Sequence, residues 1–225
     1  MNQEPWIVVP AYNEQQRLDG TLAALTRRYA NVVLVDDGST DDTWQVAAQY
    51  PVHRLRHAIN LGQGAAIGTG ISYALLQGAE IIVTFDSDGQ HDVADVESLV
   101  VPIRSGRVDV TLGSRFLGSA SGIPKSRRII LKLGVLFTRL FSRIQVTDTH
   151  NGLRAFSRPA AKRIRIFENG MAHASEILDE IYRLNLRYEE VPVAVRYSGE
   201  SLKKGQSSWN AIRIAGRLVL GRLVR

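Results

Sequence analysis

The chain of 225 residues contains no cysteine, so disulfides and thiolate metal sites are excluded and a reducing compartment suits it. Long apolar runs are missing as well. Nowhere do the roughly 18 consecutive apolar residues of a spanning helix occur. No basic segment followed by an apolar core opens the chain, so no signal peptide is expected. Acidic residues are lacking from two stretches. Residues 116–147 hold six Lys or Arg and no Asp or Glu, and residues 207–225 hold four Arg and none. The net charge of +6 is thus unevenly placed, which calls for an anionic partner, either nucleic acid or a phospholipid surface. Those basic residues sit mainly among Ile and Leu, not the interleaved aromatics that base stacking needs, which argues against a non-enzymatic nucleic-acid-binding module. With 44% hydrophobic and 22% charged residues, the chain has the material for one domain, or one domain with a helical appendage.

What is present alternates. Apolar runs at Trp6–Val9, Asn31–Val35, Val52–Leu55, Glu80–Phe85 and Val108–Gly113 read as strands. Between them, 14–28, 39–50, 63–77 and 93–103 read as helices, the second capped by Ser39 or Thr40. This predicts an α/β fold, a mostly parallel sheet with helices on both faces, whose ligands bind at the carboxyl ends of the strands. Beyond residue 125 the spacing predicts helices at 126–144, 159–164, 172–186 and 209–224, a turn at 148–152 and a strand at 188–196.

The chemistry concentrates at one strand end. Ile81 to Phe85 delivers Asp86 and Asp88, two carboxylates that repel each other unless a positive charge lies between them. A divalent cation carrying a diphosphate answers that need, because Mg²⁺ takes one or two carboxylates plus substrate phosphates. Gln90 adds a carbonyl oxygen. The pattern points to an enzyme handling a nucleotide-activated substrate.

Six segments in order carry a resemblance: Val9-Pro-Ala-Tyr-Asn-Glu14, Val35-Asp-Asp-Gly-Ser39, Asn60-Leu-Gly-Gln-Gly64, Asp86-Ser-Asp-Gly-Gln-His91, Gly113-Ser-Arg115 and Asp148-Thr-His-Asn-Gly-Leu-Arg154. Over residues 5–205 the chain resembles family 2 glycosyltransferases of the GT-A fold, and within them the dolichol-phosphate mannosyltransferase branch of polyprenyl-phosphate glycosyltransferases.

The resemblance implies roles. Asp86 would lie near nucleotide and sugar, with Asp88 and Gln90 reaching Mg²⁺ or Mn²⁺. Pro10, Tyr12, Glu14, Val35, Asp37 and Ser87 would hold the nucleotide sugar, and Arg196 with Lys203 would clamp its diphosphate, Lys204 competing with Lys203. Arg115, Arg127 and the adjacent Arg128 would face the acceptor phosphate. Asp86, Asp88, Arg115 and Arg127 are then the catalytic set. Asp36 reads equally as a turn-forming acid, and Asn60–Gly64 either shapes the donor pocket or simply starts a helix. Asp148 either organises the acceptor side or belongs to a turn seating Gly152. His91 either reaches the diphosphate or braces the metal loop, and the other four His are unassigned.

The implied reaction moves a hexose, with inversion, from a nucleotide sugar to a polyprenyl or dolichyl phosphate, a phosphate acceptor being anionic without a catalytic base. GDP-mannose is slightly favoured over a UDP-sugar. A hydroxyl acceptor is the alternative, with Asp148 or Asp109 as the required carboxylate. The implied domains are a catalytic unit, 1–206, with a nucleotide-sugar half (1–115) and an acceptor half (116–206), then an amphipathic helix over 207–225. Arg128, Lys132, Arg139 and Arg143 form one stripe on the helix 126–144. Such a helix either lies on an anionic bilayer, placing the protein peripherally at the cytoplasmic face of a membrane, or packs in the core. Oligomeric state is not legible.

Overall fold

The computed structural model describes residues 4–121 and 144–196. Its centre is a seven-stranded sheet in the order β3-β2-β1-β4-β6-β5-β7, with β1 Trp6–Ala11, β2 Val32–Asp36, β3 His53–Arg56, β4 Ile81–Thr84, β5 Val110–Ser121, β6 Arg154–Ser157 and β7 Tyr188–Arg196. β6 pairs antiparallel with both neighbours, and every other pairing is parallel. The helices are α1 Gln15–Thr26, α2 Thr43–Ala47, α3 Gln63–Leu76, α4 Asp95–Arg104, α5 Arg158–Arg163 and α6 His173–Arg183.

Alternation along the central strands builds two cores. Ile7, Val9 and Ala11 of β1 face one way and pack with Leu18, Leu22 and Leu25 of α1 and Val96, Leu99 and Ile103 of α4. Trp6 and Val8 face the other way, with Ile67, Ile71 and Ala74 of α3 and Ile177, Leu178 and Ile181 of α6. Strands buried on both faces read as continuous apolar runs, which is why β1, β2 and β4 show in the sequence. Gly70 lets α3 close on the sheet, since a Cβ there would stand 2.3 Å from a Val8 methyl carbon.

The sheet is continuous, with β6 inserted between β4 and β5. The structure changes three expectations. β5 does not stop at Gly113. It runs on to Ser121 through a bulge in which residues 115–118 face Val193 alone, so Arg115 stands on a bulge rather than at a strand end. α2 is shorter than 39–50 because Ser39 and Thr40 bond across to Asn13 instead of capping a helix. β6 was not expected at all. The predicted helices 126–144 and 209–224 lie outside the described residues, apart from Ile144.

Candidate active site

At the carboxyl ends of β1, β2 and β4 and beside the β5 bulge opens a cleft of about 590 Å³. Each strand leaves the sheet at a different turn, so each delivers its side chains to one wall. β1 supplies Pro10, Tyr12 and Glu14, with Arg17 one turn into α1 donating to Glu14 Oε2 at 3.2 Å. β2 supplies Asp37. The segment before α3 supplies Asn60, Gly62 and Gln63, and the turn after β4 supplies Asp86, Ser87, Asp88, Gln90 and His91. Arg115 enters from β5.

Asp86 is tightly placed. Its Oδ1 accepts from Gln63 Nε2 at 3.0 Å and its Oδ2 lies 3.2 Å from His91 Nε2. Gly152 stands so close that a Cβ would fall 2.1 Å from Oδ2. Burial pushes the Asp86 carboxyl upward, but the His91 hydrogen bond and the positive Arg154 behind it win, holding it below the usual carboxylate range. His173, also nearby, is held neutral down to about pH 4 by burial and by Arg154, so it adds no charge at neutral pH. Asp88 behaves oppositely: burial, then the charge of Asp86, push it up to about 6 despite the Gln90 N–H that its Oδ1 accepts at 3.1 Å. His91 lines the cleft and is bonded to Asp86, edge-on to Phe85 and bridged through its backbone to Val195.

This donor set fits a hard divalent cation. Asp88 is an acid short of countercharge, and Asp86 and the Gln90 amide line the same turn. Among the described residues no cluster of three or more His, Cys, Asp or Glu is suited to a metal. Two carboxylates and an amide leave coordination positions for phosphate and water, the habit of Mg²⁺ and Mn²⁺ rather than of a closed protein cage.

Arg115 also lines the cleft. Only 8% exposed, it donates its backbone N–H (3.1 Å) and its Nε (2.6 Å) to Asp148 Oδ2. Asp148 therefore orients Arg115. Gly152 is seated separately, its carbonyl accepting from the Thr84 hydroxyl at 2.7 Å. Asp109, the other carboxylate weighed as a base, pairs with Arg187, which holds its carboxyl low, and it lies outside the cleft lining.

Two expected positions differ, and a third segment fits both of its readings. Val35 is fully buried in the core beneath α3, because the inward face of β2 points there, and does not line the cleft. Arg196, its side chain 72% exposed, turns to Asp92 at 3.0 Å, while its backbone N–H holds the Gln90 carbonyl at 2.9 Å. The Asn60–Gly64 segment lines the cleft, but its close backbone approach is to the protein itself. Gly64 and Ala65 N–H both donate to the Asn169 carbonyl, and Gly62, at φ +110°, has no room for a Cβ beside that oxygen. The start of α3 is thereby capped from residue 169. Asp36 serves its turn, accepting the Ser39 N–H at 3.0 Å, with Arg56 Nε 3.0 Å from its other oxygen but off the hydrogen-bond angle. Arg127, Arg128, Lys203 and Lys204 lie outside the described residues.

Sequence reasoning assigned no site role to Arg17, His150 and Met171, which also line the cleft. Isolated residues on a helix or in a loop carry no spacing signal, and only the packing of 169–171 against α3 brings the last of these in.

Residues 6–165 match the model of glycosyl transferase family 2. The chain is 30% identical to the UDP-N-acetylglucosamine–dolichyl-phosphate N-acetylglucosaminyltransferase of Methanococcus voltae, over 96% of this chain and 94% of that one. It is also 30% identical to the undecaprenyl-phosphate mannosyltransferase of Micrococcus luteus, over 88% and 86%. Glucosyl-3-phosphoglycerate synthase from Mycobacterium tuberculosis, solved with Mg²⁺ and uridine diphosphate, aligns with a TM-score of 0.71 at 20% identity, over 95% of this chain and 78% of that one. That likeness is one of fold, and it agrees with the GT-A architecture. The chain belongs to glycosyl transferase family 2 and is a glycosyltransferase.

Proposed function

We propose that the protein transfers a hexose from a nucleoside diphosphate sugar to a polyprenyl or dolichyl phosphate, with inversion and with Mg²⁺ or Mn²⁺ as cofactor. The observation that carries this reading is that one cleft is lined both by the Asp86/Asp88 pair and by Arg115, which Asp148 holds in place. The first suits a cation with a diphosphate, the second an acceptor that is itself an anion. Two relatives of nearly the same length carry dolichyl phosphate and undecaprenyl phosphate in their names.

Asp88 and Gln90 would hold the cation with Asp86 alongside; when bound, it supplies Lewis-acid neutralisation of the departing diphosphate. Asp86, pinned by Gln63, His91 and the wall at Gly152, fixes the donor end. Tyr12 and Glu14 bind the nucleoside, Glu14 accepting from ribose hydroxyls. Arg115 orients the acceptor phosphate, whose oxygen, already ionised at neutral pH, attacks the anomeric carbon opposite the leaving group without a general base. Arg127 and Arg128 would assist at that phosphate, and Lys203 and Arg196 at the diphosphate; for Arg196 this requires leaving Asp92.

No helix among the described residues is long and apolar enough to cross a membrane. The reading places the protein peripherally at the cytoplasmic face, the basic segments 116–147 and 207–225 on anionic lipid, with 1–206 as the catalytic unit.

The test is transfer of label from radioactive nucleotide sugars, with Mn²⁺, to polyprenyl phosphate and to the matching free polyprenol. Label is expected in the organic phase with the phosphate alone. Equal labelling of the polyprenol would replace this reading with a hydroxyl-acceptor enzyme.

A further inference from the structure

If the diphosphate lies at Asp86 and Asp88, as the reading above requires, the donor's base is left to the part of the cleft lined by Tyr12, Asp37 and Asn60. Tyr12, 44% exposed, offers an aromatic face there. Asp37 offers a buried carboxylate, whose two oxygens provide about four acceptor positions in all.

Three positions are already taken. Oδ1 accepts from His57 Nδ1 at 2.7 Å and from the Leu61 N–H at 2.9 Å, and Oδ2 accepts from the Gly62 N–H at 2.7 Å. His57 is held at both ring nitrogens. Nδ1 faces a carboxylate and must carry a proton, while Nε2 lies 3.0 Å from the Thr69 hydroxyl. His57 is fixed further by its own N–H, which donates to the Asp36 carbonyl at 2.9 Å. Oδ1 is thus full, and one acceptor position remains, on Oδ2.

A carboxylate with one open position distinguishes bases by their donors. Guanine presents a ring N–H beside an amine and takes both oxygens of a carboxylate. At Asp37 one of those donors would be buried against a saturated oxygen, a mismatch that specificity sites exploit. Uracil presents a single ring N–H. Adenine and cytosine each present an amine N–H able to fill that position, so the single opening sets uracil apart from guanine. We propose that His57, by occupying Oδ1 of Asp37, makes this enzyme select uridine diphosphate sugars over guanosine diphosphate sugars. The slight leaning to GDP-mannose drawn from the sequence is thereby reversed. His57 is a specificity-determining residue that acts through Asp37 without touching the base.

Calorimetric titration of UDP, GDP, ADP and CDP, each with Mg²⁺, into the wild-type protein tests this. UDP should bind at least tenfold more tightly than GDP. In His57→Phe, which keeps a ring but removes the donor, the UDP:GDP affinity ratio should fall at least threefold, with circular dichroism verifying the fold. In His57→Asn, which restores an N–H near the Nδ1 position, the ratio should recover. Wild-type protein that binds GDP as tightly as UDP overturns the inference, as does an unchanged ratio in a folded His57→Phe. If that variant does not fold, the wild-type ratio alone decides. Failure of every nucleoside diphosphate to bind would remove the nucleotide-sugar reading itself, a different result from loss of selectivity.

Discussion

At the scale of single residues, Asp86 and Asp88 show how one turn gives two acids different work. Asp86 is kept ionised by His91 and Arg154, while Asp88, with burial and Asp86 against it, is pushed up to about 6. The sign follows by linkage. The unfolded Asp titrates near 3.9, so a native value of about 6 means that the folded state binds the proton more tightly. The resulting penalty is absent below about pH 4, grows as pH rises to 6 and is complete above it. Asp88→Asn should therefore raise the stability of the metal-free protein above pH 6, by up to about 3 kcal/mol from that difference, and leave it unchanged near pH 4. Denaturant melts at pH 4, 6 and 8 would check this; an equal gain at all three would mean that the stability effect is not electrostatic. The same variant should lose at least a hundredfold in Mn²⁺-dependent transfer.

At the scale of elements, the strands that carry the cleft were legible because β1, β2 and β4 are buried on both faces and hold no charged or hydroxyl residue before their last position. Their ends were legible because Asp, Asn and Gly mark turns. β6 was not. Its four residues, Arg-Ala-Phe-Ser, follow one turn and lead directly into α5, and Arg154 is buried there only because its guanidinium finds the Asn151, Thr149 and Ala174 carbonyls. No local pattern announces such long-range satisfaction. The bulge at Arg115 was hidden for a similar reason, being defined by the partner strand. The start of α3 shows the converse: its glycines were visible but their neighbour was not. A Cβ on Gly64 would meet the Glu168 carbonyl at 2.1 Å, a backbone atom that moves only with its whole segment. Gly64→Ala should accordingly cost about 1–3 kcal/mol of stability, as overpacking does. Chemical denaturation measures it, and a loss below 0.5 kcal/mol, the ordinary range of surface changes, would show that 168–170 is not fixed on α3.

At the scale of the whole molecule, one continuous sheet joins the donor and acceptor halves, so the acidic turn after β4 and the Arg115 bulge keep their places through a shared frame. On the proposed function, the basic segments 116–147 and 207–225 would meet an anionic lipid surface. Each basic residue near such a surface contributes roughly 1 kcal/mol. Arg128→Glu, Lys132→Glu and Arg139→Glu together should abolish cosedimentation with anionic vesicles while leaving UDP affinity intact; undiminished cosedimentation would assign the 126–144 segment to the core. The most direct test lies at the acidic turn. Diffraction from crystals soaked with Mn²⁺ and UDP, collected for anomalous signal, should place one strong peak against the Asp88 carboxylate and the Gln90 amide, touching the nucleotide's phosphates. Bound nucleotide with no manganese peak at that turn would contradict the account.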